Sequence, residues 1–355
     1  MKLKEKQLFK ELCEFKKETF DEELLKFATP HVLGLLFFNR MQGIAYDRLK
    51  KKGVLNKVNR EFRNSLKSAF NQNVVKNRSF IECIDLVASI LNKLDCKIAM
   101  LKGAFLCNHY PEGYRVSNDI DLLVKPSDVT IVANALNEAG FKQGNIRNDE
   151  FVAASRQEII ESKMMRGETV PYIKEVNLPN MKYLEVDINF SLDYKNGEID
   201  ILEKILEKAE VISKNGICLP TLSKDDFFIH LCTHLYKEAS TLPWIEMQRD
   251  MTLYKYCDIY MLLSEMKDSD IESVFIRAKE LGLEKACAYA VLEALELFDM
   301  DFFKAKNLSE AILENEKDFI LKVVSPKDKK ILKYQTVDVT KRFFMNNRVA
   351  DLKEV

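Results

Sequence analysis

The chain has 355 residues, of which 47% are apolar, and its 54 lysines and arginines against 55 aspartates and glutamates give a net charge of −1. This composition excludes collagen-like, low-complexity and disordered chains, because so apolar a sequence can bury enough surface to offset its ordering entropy. The near-zero charge argues against a dedicated nucleic-acid coat protein. With only 11 glycines and 8 prolines, few turns and long helices are expected.

The cysteines and the apolar runs indicate the cellular setting. Eight cysteines are scattered without a CxxC pair, which favours buried thiols in a reducing compartment over disulfides or a zinc site. The charged N-terminal sequence lacks the apolar core of a secretory signal, and no apolar run reaches the ~20 residues of a membrane helix. We therefore expect a cytoplasmic protein with no membrane partner.

Residues 1–94 form the first predicted region, which is helical. Apolar residues recur at helical spacing along it, and Pro30 stands where it can open a second helix. The stretch from Asn56 to Leu94 contains neither glycine nor proline. This part of the chain is expected to consist of helices alone.

Residues 95–215 form the second predicted region, a small mixed α/β core. The segment CKIAML is predicted to be a buried strand that runs into a short helix, and DIDLLV a second strand followed by a helix that ends at Gly140. Residues 141–182 have an irregular pattern that is strand-like in pieces. Period-two alternation predicts a further strand over residues 182–192, and a short helix is expected over 199–212.

Residues 216–355 form the third predicted region, a C-terminal helical domain. The segment KNGICLPTL is interpreted as a boundary loop, after which helices are predicted over 223–240, 251–267, 270–297 with a break near Gly282, and 327–346. The sequence thus predicts an α+β fold that is predominantly helical, in which N- and C-terminal helical regions flank a small core with a mixed sheet.

A pair of aspartates in the core is the main chemical signal. Asp119 and Asp121 are separated by one residue on a predicted strand, so both carboxylates leave the same face, roughly 6.5–7 Å apart along the backbone. Hard oxygen ligands of this kind suit Mg²⁺, or alternatively Mn²⁺, which bind through one or two carboxylates and substrate phosphates. The pair is a candidate metal site.

A strand-to-helix turn upstream of this pair could bind phosphates. Backbone N–H groups at Gly103 and Ala104 begin a helix, where anions are favoured. Lys102 and Arg115 would add positive charge at a triphosphate. The sequence therefore predicts nucleotide binding at these four residues.

A third acid is expected on a neighbouring strand. Asp187 lies between apolar residues and could bind a metal and take the proton of an attacking hydroxyl. Glu185 lies on the same face of this strand and is an alternative. We favour Asp187, and the choice between the two stays open.

This order of motifs along the chain resembles that of the nucleotidyltransferase superfamily typified by DNA polymerase β. Members of the superfamily have a glycine turn, then Asp-apolar-Asp, then a third acid. It is more similar to the bacterial nucleotidyltransferase family proteins often found beside natural-product gene clusters. The shared motifs are Leu101-Lys102-Gly103, the segment from Arg115 to Val124, and Gly140. The resemblance spans most of the chain, and its specific part lies between residues 101 and 124.

Two positions depart from the expected pattern. The superfamily's Gly-Ser turn has Ala104 in place of serine, and the usual Glu and His of the later strand are Asp187 and Asn189. The family's helical histidine segment looks like His230 to His234, followed by Asp258, which implies an acceptor pocket there. A zinc site at these histidines is disfavoured, because the HExxH pattern is absent.

The resemblance implies a transferase that moves a nucleoside monophosphate, from ATP or another nucleoside triphosphate, to a small-molecule hydroxyl or amine and releases pyrophosphate. Asp119, Asp121 and Asp187 would be the catalytic and metal-binding residues. Two alternatives remain: a toxin-like nucleotidyltransferase that modifies tRNA or protein, and a catalytically silent nucleotide-binding protein with the same fold.

Overall fold

A computed structural model describes residues 2–192, 199–299 and 301–355. The chain divides into two compact units. One comprises Met1–Ser68 together with Phe228–Val355, and the other comprises Ala69–Phe227. The division into regions 1–94, 95–215 and 216–355 stays a prediction beside these two units.

The N-terminal part is helical, as the sequence predicts. Its α-helices are α1 (Leu3–Cys13), α2 (Pro30–Phe38), α3 (Gln42–Lys51) and α4 (Arg60–Leu91), with 3₁₀ turns at Glu22–Phe27 and Leu55–Lys57. Helix α2 begins where expected, because Pro30 occupies its first turn and the Thr29 hydroxyl accepts a hydrogen bond from the Val32 N–H at 3.4 Å.

The second unit contains a six-stranded sheet. After α4 the chain forms β1 (Ile98–Met100), α5 (Gly103–His109), β2 (Asp119–Val124), a 3₁₀ turn (Pro126–Asp128), α6 (Val129–Glu138), β3 (Lys142–Arg147), β4 (Glu150–Ala153), α7 (Arg156–Arg166), β5 (Tyr172–Leu178) and β6 (Met181–Asn189). The strand order is β1-β2-β6-β5-β3-β4. Strands β2 and β6 pair in parallel, and the other neighbouring pairs are antiparallel. This mixed sheet carries the predicted strands DIDLLV and KYLEVDIN at its centre.

One face of the two central strands is fully buried. Ile120 and Leu122 of β2 and Val186 and Ile188 of β6 have no exposed surface, and they pack in one apolar cluster with α4 and α6. Side chains alternate between the two faces of a strand. The acidic residues of these strands therefore lie on the opposite face of the sheet.

Two segments of this unit differ from the sequence-based expectation. The predicted boundary loop near residue 214 is wrong: β7 (Glu210–Lys214) and β8 (Ile217–Thr221) form a hairpin after α8 (Ile199–Glu207). Asn215 and Gly216 both have positive φ, at 55° and 83°, which two-residue hairpin turns require. Helix α7 lies within residues 141–182, where the sequence predicts no helix. Its N-cap is Ser155, and the side chains of Ser155 and Glu158 form a capping box.

The C-terminal part is helical up to residue 321. Its helices are α9 (Lys224–Ala239), α10 (Leu242–Glu246), α11 (Leu253–Leu263), α12 (Asp268–Glu280), α13 (Glu284–Leu297), α14 (Phe303–Leu313) and a 3₁₀ helix (Glu314–Leu321). Gly282, with a φ of 67°, separates α12 from α13 at the predicted break.

The last predicted helix, over 327–346, is wrong. Residues 322–354 form β9 (Lys322–Ser325), β10 (Lys330–Tyr334), the short helix α15 (Val339–Phe343), a 3₁₀ turn (Val349–Asp351) and β11 (Leu352–Glu354), with strand order β11-β10-β9. Tyr334 and Val323 of these strands are buried in a cluster with Ile245 and Leu321. Tertiary packing of a short alternating segment therefore prevails over its weak helical pattern.

These elements confirm the predicted α+β fold class, with a mixed sheet between helical parts of the chain. All eight cysteines are free thiols. Six of them are buried, whereas Cys96 is half-buried and Cys218 is exposed. Within the described residues, none of the helices has both the length and the apolar character needed to cross a bilayer.

Candidate active site

The central parallel strand pair brings together four carboxyl groups. In the register of β2 and β6, Asp119 lies opposite Glu185, and Asp121 lies opposite Asp187. Neighbouring strands are about 4.8 Å apart, and residues two apart along a strand share a face. The structure thus places the three predicted acids Asp119, Asp121 and Asp187 on one face of the sheet, with Glu185 as a fourth member.

The charges of this carboxyl cluster disfavour one another. Burial, together with the charges of Asp121 and Asp119 and smaller contributions from Glu168 and Glu185, raises the pKa of Asp187 from 3.8 to about 8. Burial and the charge of Asp119 likewise raise the pKa of Glu185. Because Asp119 and Asp121 oppose the ionisation of Asp187, a bound cation would relieve the repulsion.

Both aspartates of β2 have polar partners. The Lys102 ammonium donates a hydrogen bond to Asp121 Oδ1 at 3.1 Å, and both side chains are largely buried. The Ser117 hydroxyl donates to Asp119 Oδ1 at 2.8 Å. These bonds connect the carboxyl cluster to the turn before α5 and to the loop before β2.

The glycine of the predicted turn is required by close packing. A Cβ atom on Gly103 would lie 2.5 Å from Ser117 Oγ and 2.6 Å from Ser117 Cβ. Real Cβ atoms essentially never approach that closely, so only glycine fits against this serine. The turn before α5 is therefore packed directly on a residue that holds Asp119.

The other predicted nucleotide-binding residues lie near this turn. The Ala104 side chain is buried, and its N–H donates to the Leu101 carbonyl at 3.2 Å. Arg115 lies in the loop between α5 and β2, where its guanidinium donates to the Val116 carbonyl at 2.7 Å. Both belong to the same unit as the carboxyl cluster.

The predicted acceptor residues lie in the other unit. His230 and His234 are one helical turn apart on α9, with ring centroids 6.2 Å apart, and Asp258 is buried on α11. His234 Nε2 lies 3.5 Å from Glu238 Oε1. Their participation in an acceptor pocket stays a prediction.

A family model described as an uncharacterised nucleotidyltransferase matches residues 26–299, more than three-quarters of the chain. The chain belongs to this nucleotidyltransferase family. The match covers the whole six-stranded sheet and its carboxyl cluster. No curated protein matches the chain significantly. Membership of the family implies a nucleotide substrate.

The donor set of the carboxyl cluster suits Mg²⁺ or Mn²⁺ when further ligands come from substrate and water. Among the residues that the structure describes, no group of three or more His, Cys, Asp or Glu side chains could hold a metal ion by itself. Mg²⁺ usually takes one or two carboxylates and completes its shell with phosphate oxygens and water. Asp121 and Asp187, adjacent across two strands, could supply two such carboxylates, with Asp119 two residues away.

Two residues near the carboxyl cluster are not among those predicted from the sequence. Ser117 stands two positions before Asp119, and a hydroxyl at this spacing from an acid could have been noticed as a hydrogen-bond donor. Glu168 reaches the cluster through an isolated bridge to Asn189 on β6. No local sequence signal identifies Glu168, because the bridge joins it to a strand more than 20 residues away.

Proposed function

We propose that this protein is a Mg²⁺-dependent nucleotidyltransferase of the DNA polymerase β-like superfamily. It would transfer a nucleoside monophosphate from a nucleoside triphosphate to a hydroxyl or amine of a small-molecule acceptor and release pyrophosphate. One observation carries the proposal: Asp121 and Asp187 lie opposite each other on two parallel strands, with Asp119 on the same face. The family match supports it.

Each residue has a role in this proposal. Asp119, Asp121 and Asp187 would hold the metal ion, which neutralises charge on the triphosphate when bound. Lys102 and Arg115 would contact the phosphates, next to the closely packed turn at Gly103 and Ala104. The carboxylate of Asp187 would also accept the proton of the acceptor group.

The chemical step is an in-line displacement at phosphorus. The acceptor oxygen or nitrogen forms a bond to the α-phosphorus while the bond from that phosphorus to the bridging oxygen breaks. Pyrophosphate leaves with the electron pair, and the acceptor proton passes to Asp187. The bridging oxygen becomes part of the pyrophosphate, so no oxidant or further reactant is needed.

The net charge favours a small acceptor. A protein that grips a tRNA backbone normally has an excess of lysine and arginine, whereas this chain has a net charge of −1. The helical segment 223–265, with His230, His234 and Asp258, would form the acceptor pocket. The base of the nucleotide is left open, with ATP as the first donor to test.

The test uses each of the four nucleoside triphosphates, labelled at the α-phosphate, with Mg²⁺ and a cell extract as source of acceptors. We expect label in the small-molecule fraction, release of pyrophosphate, and a loss of at least about 10³-fold with Asp121→Asn. Asp85→Asn, an exposed acid on α4, is the matched control and should retain activity.

Other outcomes would redirect the proposal. Label in tRNA or in polypeptide would show a macromolecular acceptor instead. Absence of pyrophosphate release with every nucleotide would favour a silent nucleotide-binding protein. If Asp121→Asn retained wild-type activity, the carboxyl cluster would not be the active site.

A further inference from the structure

Lys102 has a backbone conformation that suits glycine. Its φ is +41° and its ψ is −110°, close to the second residue of a type II′ turn, at about +60° and −120°. The turn from Leu101 to Ala104 is closed by a hydrogen bond between the Ala104 N–H and the Leu101 carbonyl, at 3.2 Å. A side chain at such a position is strained, and strain of this kind is concentrated at functional sites.

The strained turn brings the Lys102 ammonium group to the carboxyl cluster. Lys102 Nζ lies 3.1 Å from Asp121 Oδ1, and the exposed fractions of the two side chains are 25% and 15%. Asp121 is the aspartate that pairs across the sheet with Asp187. The ammonium therefore sits against the carboxylate that a metal ion would need.

We propose that Lys102 is an exchangeable counter-charge that makes the site select a metal–triphosphate complex over a free metal ion. This inference rests on the proposed function. A free divalent cation must displace the ammonium from Asp121, which breaks this ion pair and brings no new anion in exchange, so its binding is opposed. A cation that arrives with a triphosphate brings new anionic oxygens for the displaced ammonium to bind.

Lys102 therefore has one role when substrate is absent and another when substrate is bound. Without substrate, its charge offsets part of the repulsion among Asp119, Asp121 and Asp187. With substrate, it neutralises part of the charge on the phosphates. A lysine that only stabilised the fold would affect the binding of both ligands alike, so the two roles can be separated by measuring them independently.

The experiment measures the binding of two probes to the full-length protein by calorimetry and by electron paramagnetic resonance of Mn²⁺. The probes are Mn²⁺ alone and Mn²⁺ with tripolyphosphate, which carries the phosphates without a base. For Lys102→Met we expect about tenfold tighter binding of free Mn²⁺, since the cation no longer competes with an ammonium 3.1 Å from Asp121 Oδ1. Binding of Mn²⁺–tripolyphosphate should become about tenfold weaker.

Three further variants make the result specific. Lys102→Arg retains the charge and should restore wild-type affinity for free Mn²⁺. Lys125→Met removes a half-buried lysine paired with Glu203 at the other end of β2 and should leave both affinities unchanged. Lys102→Gly suits the turn without strain, so it keeps the test available if the methionine variant does not fold.

The inference is overturned if Lys102→Met and Lys102→Gly change both affinities in the same direction, or change neither. The proposed function survives that result when wild-type protein binds Mn²⁺–tripolyphosphate and Asp121→Asn does not. If wild-type protein binds neither probe, both the inference and the metal-dependent function are wrong.

Discussion

Carboxyl groups with little solvent exposure occur in both units of the chain, but their partners differ. In the unit that holds the C-terminal helices, the fully buried Asp250 accepts two hydrogen bonds from the Arg348 guanidinium, each 2.7 Å long. Glu293 accepts one from Arg342 at 2.6 Å. These acids have permanent cationic partners on the same chain, which is the usual way to keep a charge inside a protein.

In the sheet-containing unit, half-buried acids face other acids. Asp121 and Asp187 lie side by side, and the repulsion of its neighbours adds to the burial that raises the pKa of Asp187. Lys102 offsets only part of this charge. An acid paired with an arginine therefore stabilises the fold. A cluster of acids destabilises it, and a bound ligand of positive charge would reverse that destabilisation.

The largest effect is expected where a compensating partner is removed. Arg348→Met leaves the Asp250 carboxylate buried without its arginine, so the free energy of unfolding should fall by about 4 kcal/mol. Urea denaturation followed by circular dichroism measures it. Arg147→Met, which breaks an exposed pair with Glu158, is the control and should cost less than about 1 kcal/mol. Equal losses in the two variants would contradict the comparison.

An acid of the carboxyl cluster is expected to lower the stability of the protein as pH rises. With a chelator present, folded Asp187 keeps its proton up to about pH 8, whereas the unfolded chain loses it near 3.8. The unfolded state then binds fewer protons, so stability falls as pH rises from 4 to 8. Between pH 4 and pH 8, the free energy of unfolding of Asp187→Asn should fall by about 3 kcal/mol less than that of the wild type. This is about half the value for an isolated group, since the neighbouring carboxyls share the titration.

Thermal or urea unfolding at pH 5 and pH 8.5 measures this difference. Asp85→Asn should follow the wild-type pH dependence. A variant Asp187→Asn with the wild-type slope would mean that the carboxyl cluster is as well compensated as the arginine pairs.

The smallest effect compares one substitution in the two units. Gly103→Ala places a methyl group against Ser117, so it should destabilise the protein by about 1–3 kcal/mol. Gly34→Ala, inside α2, meets nothing within 4 Å and should stabilise by about 0.5–1 kcal/mol. Urea denaturation of both variants gives the signs. The double variant Gly103→Ala with Ser117→Gly should regain stability, and failure to do so would exclude the Ser117 clash as the cause.

Much of the helical structure could be predicted from local pattern. Pro30 and Thr29 mark the start of α2, and Gly282 marks the break between α12 and α13, because caps and breakers act within a few residues. The strands after residue 321 could not be predicted, since Tyr334 gains its burial from partners far along the chain. The hairpin after α8 was missed although Asn215-Gly216 is a strong local signal.

For the candidate site, the sequence predicts a strand with Asp119 and Asp121 on one face, and the structure has that strand. The sequence predicts only that Asp187 lies on a strand next to that of Asp121, and not which residues of the two strands are paired. Its register depends on contacts across more than 60 residues. The roles of these residues in metal and nucleotide binding stay predictions.

The α+β class and the position of the acidic strand could be predicted from the sequence alone, because composition and periodicity act locally. Only the tertiary structure decided that Glu185 joins the carboxyl cluster, that Ser117 holds Asp119, and that Lys102 contacts Asp121 from a strained turn. Those contacts depend on strand register and on backbone angles that are set by packing at a distance. The near-zero net charge of the whole chain gives no sign of this local excess of acids.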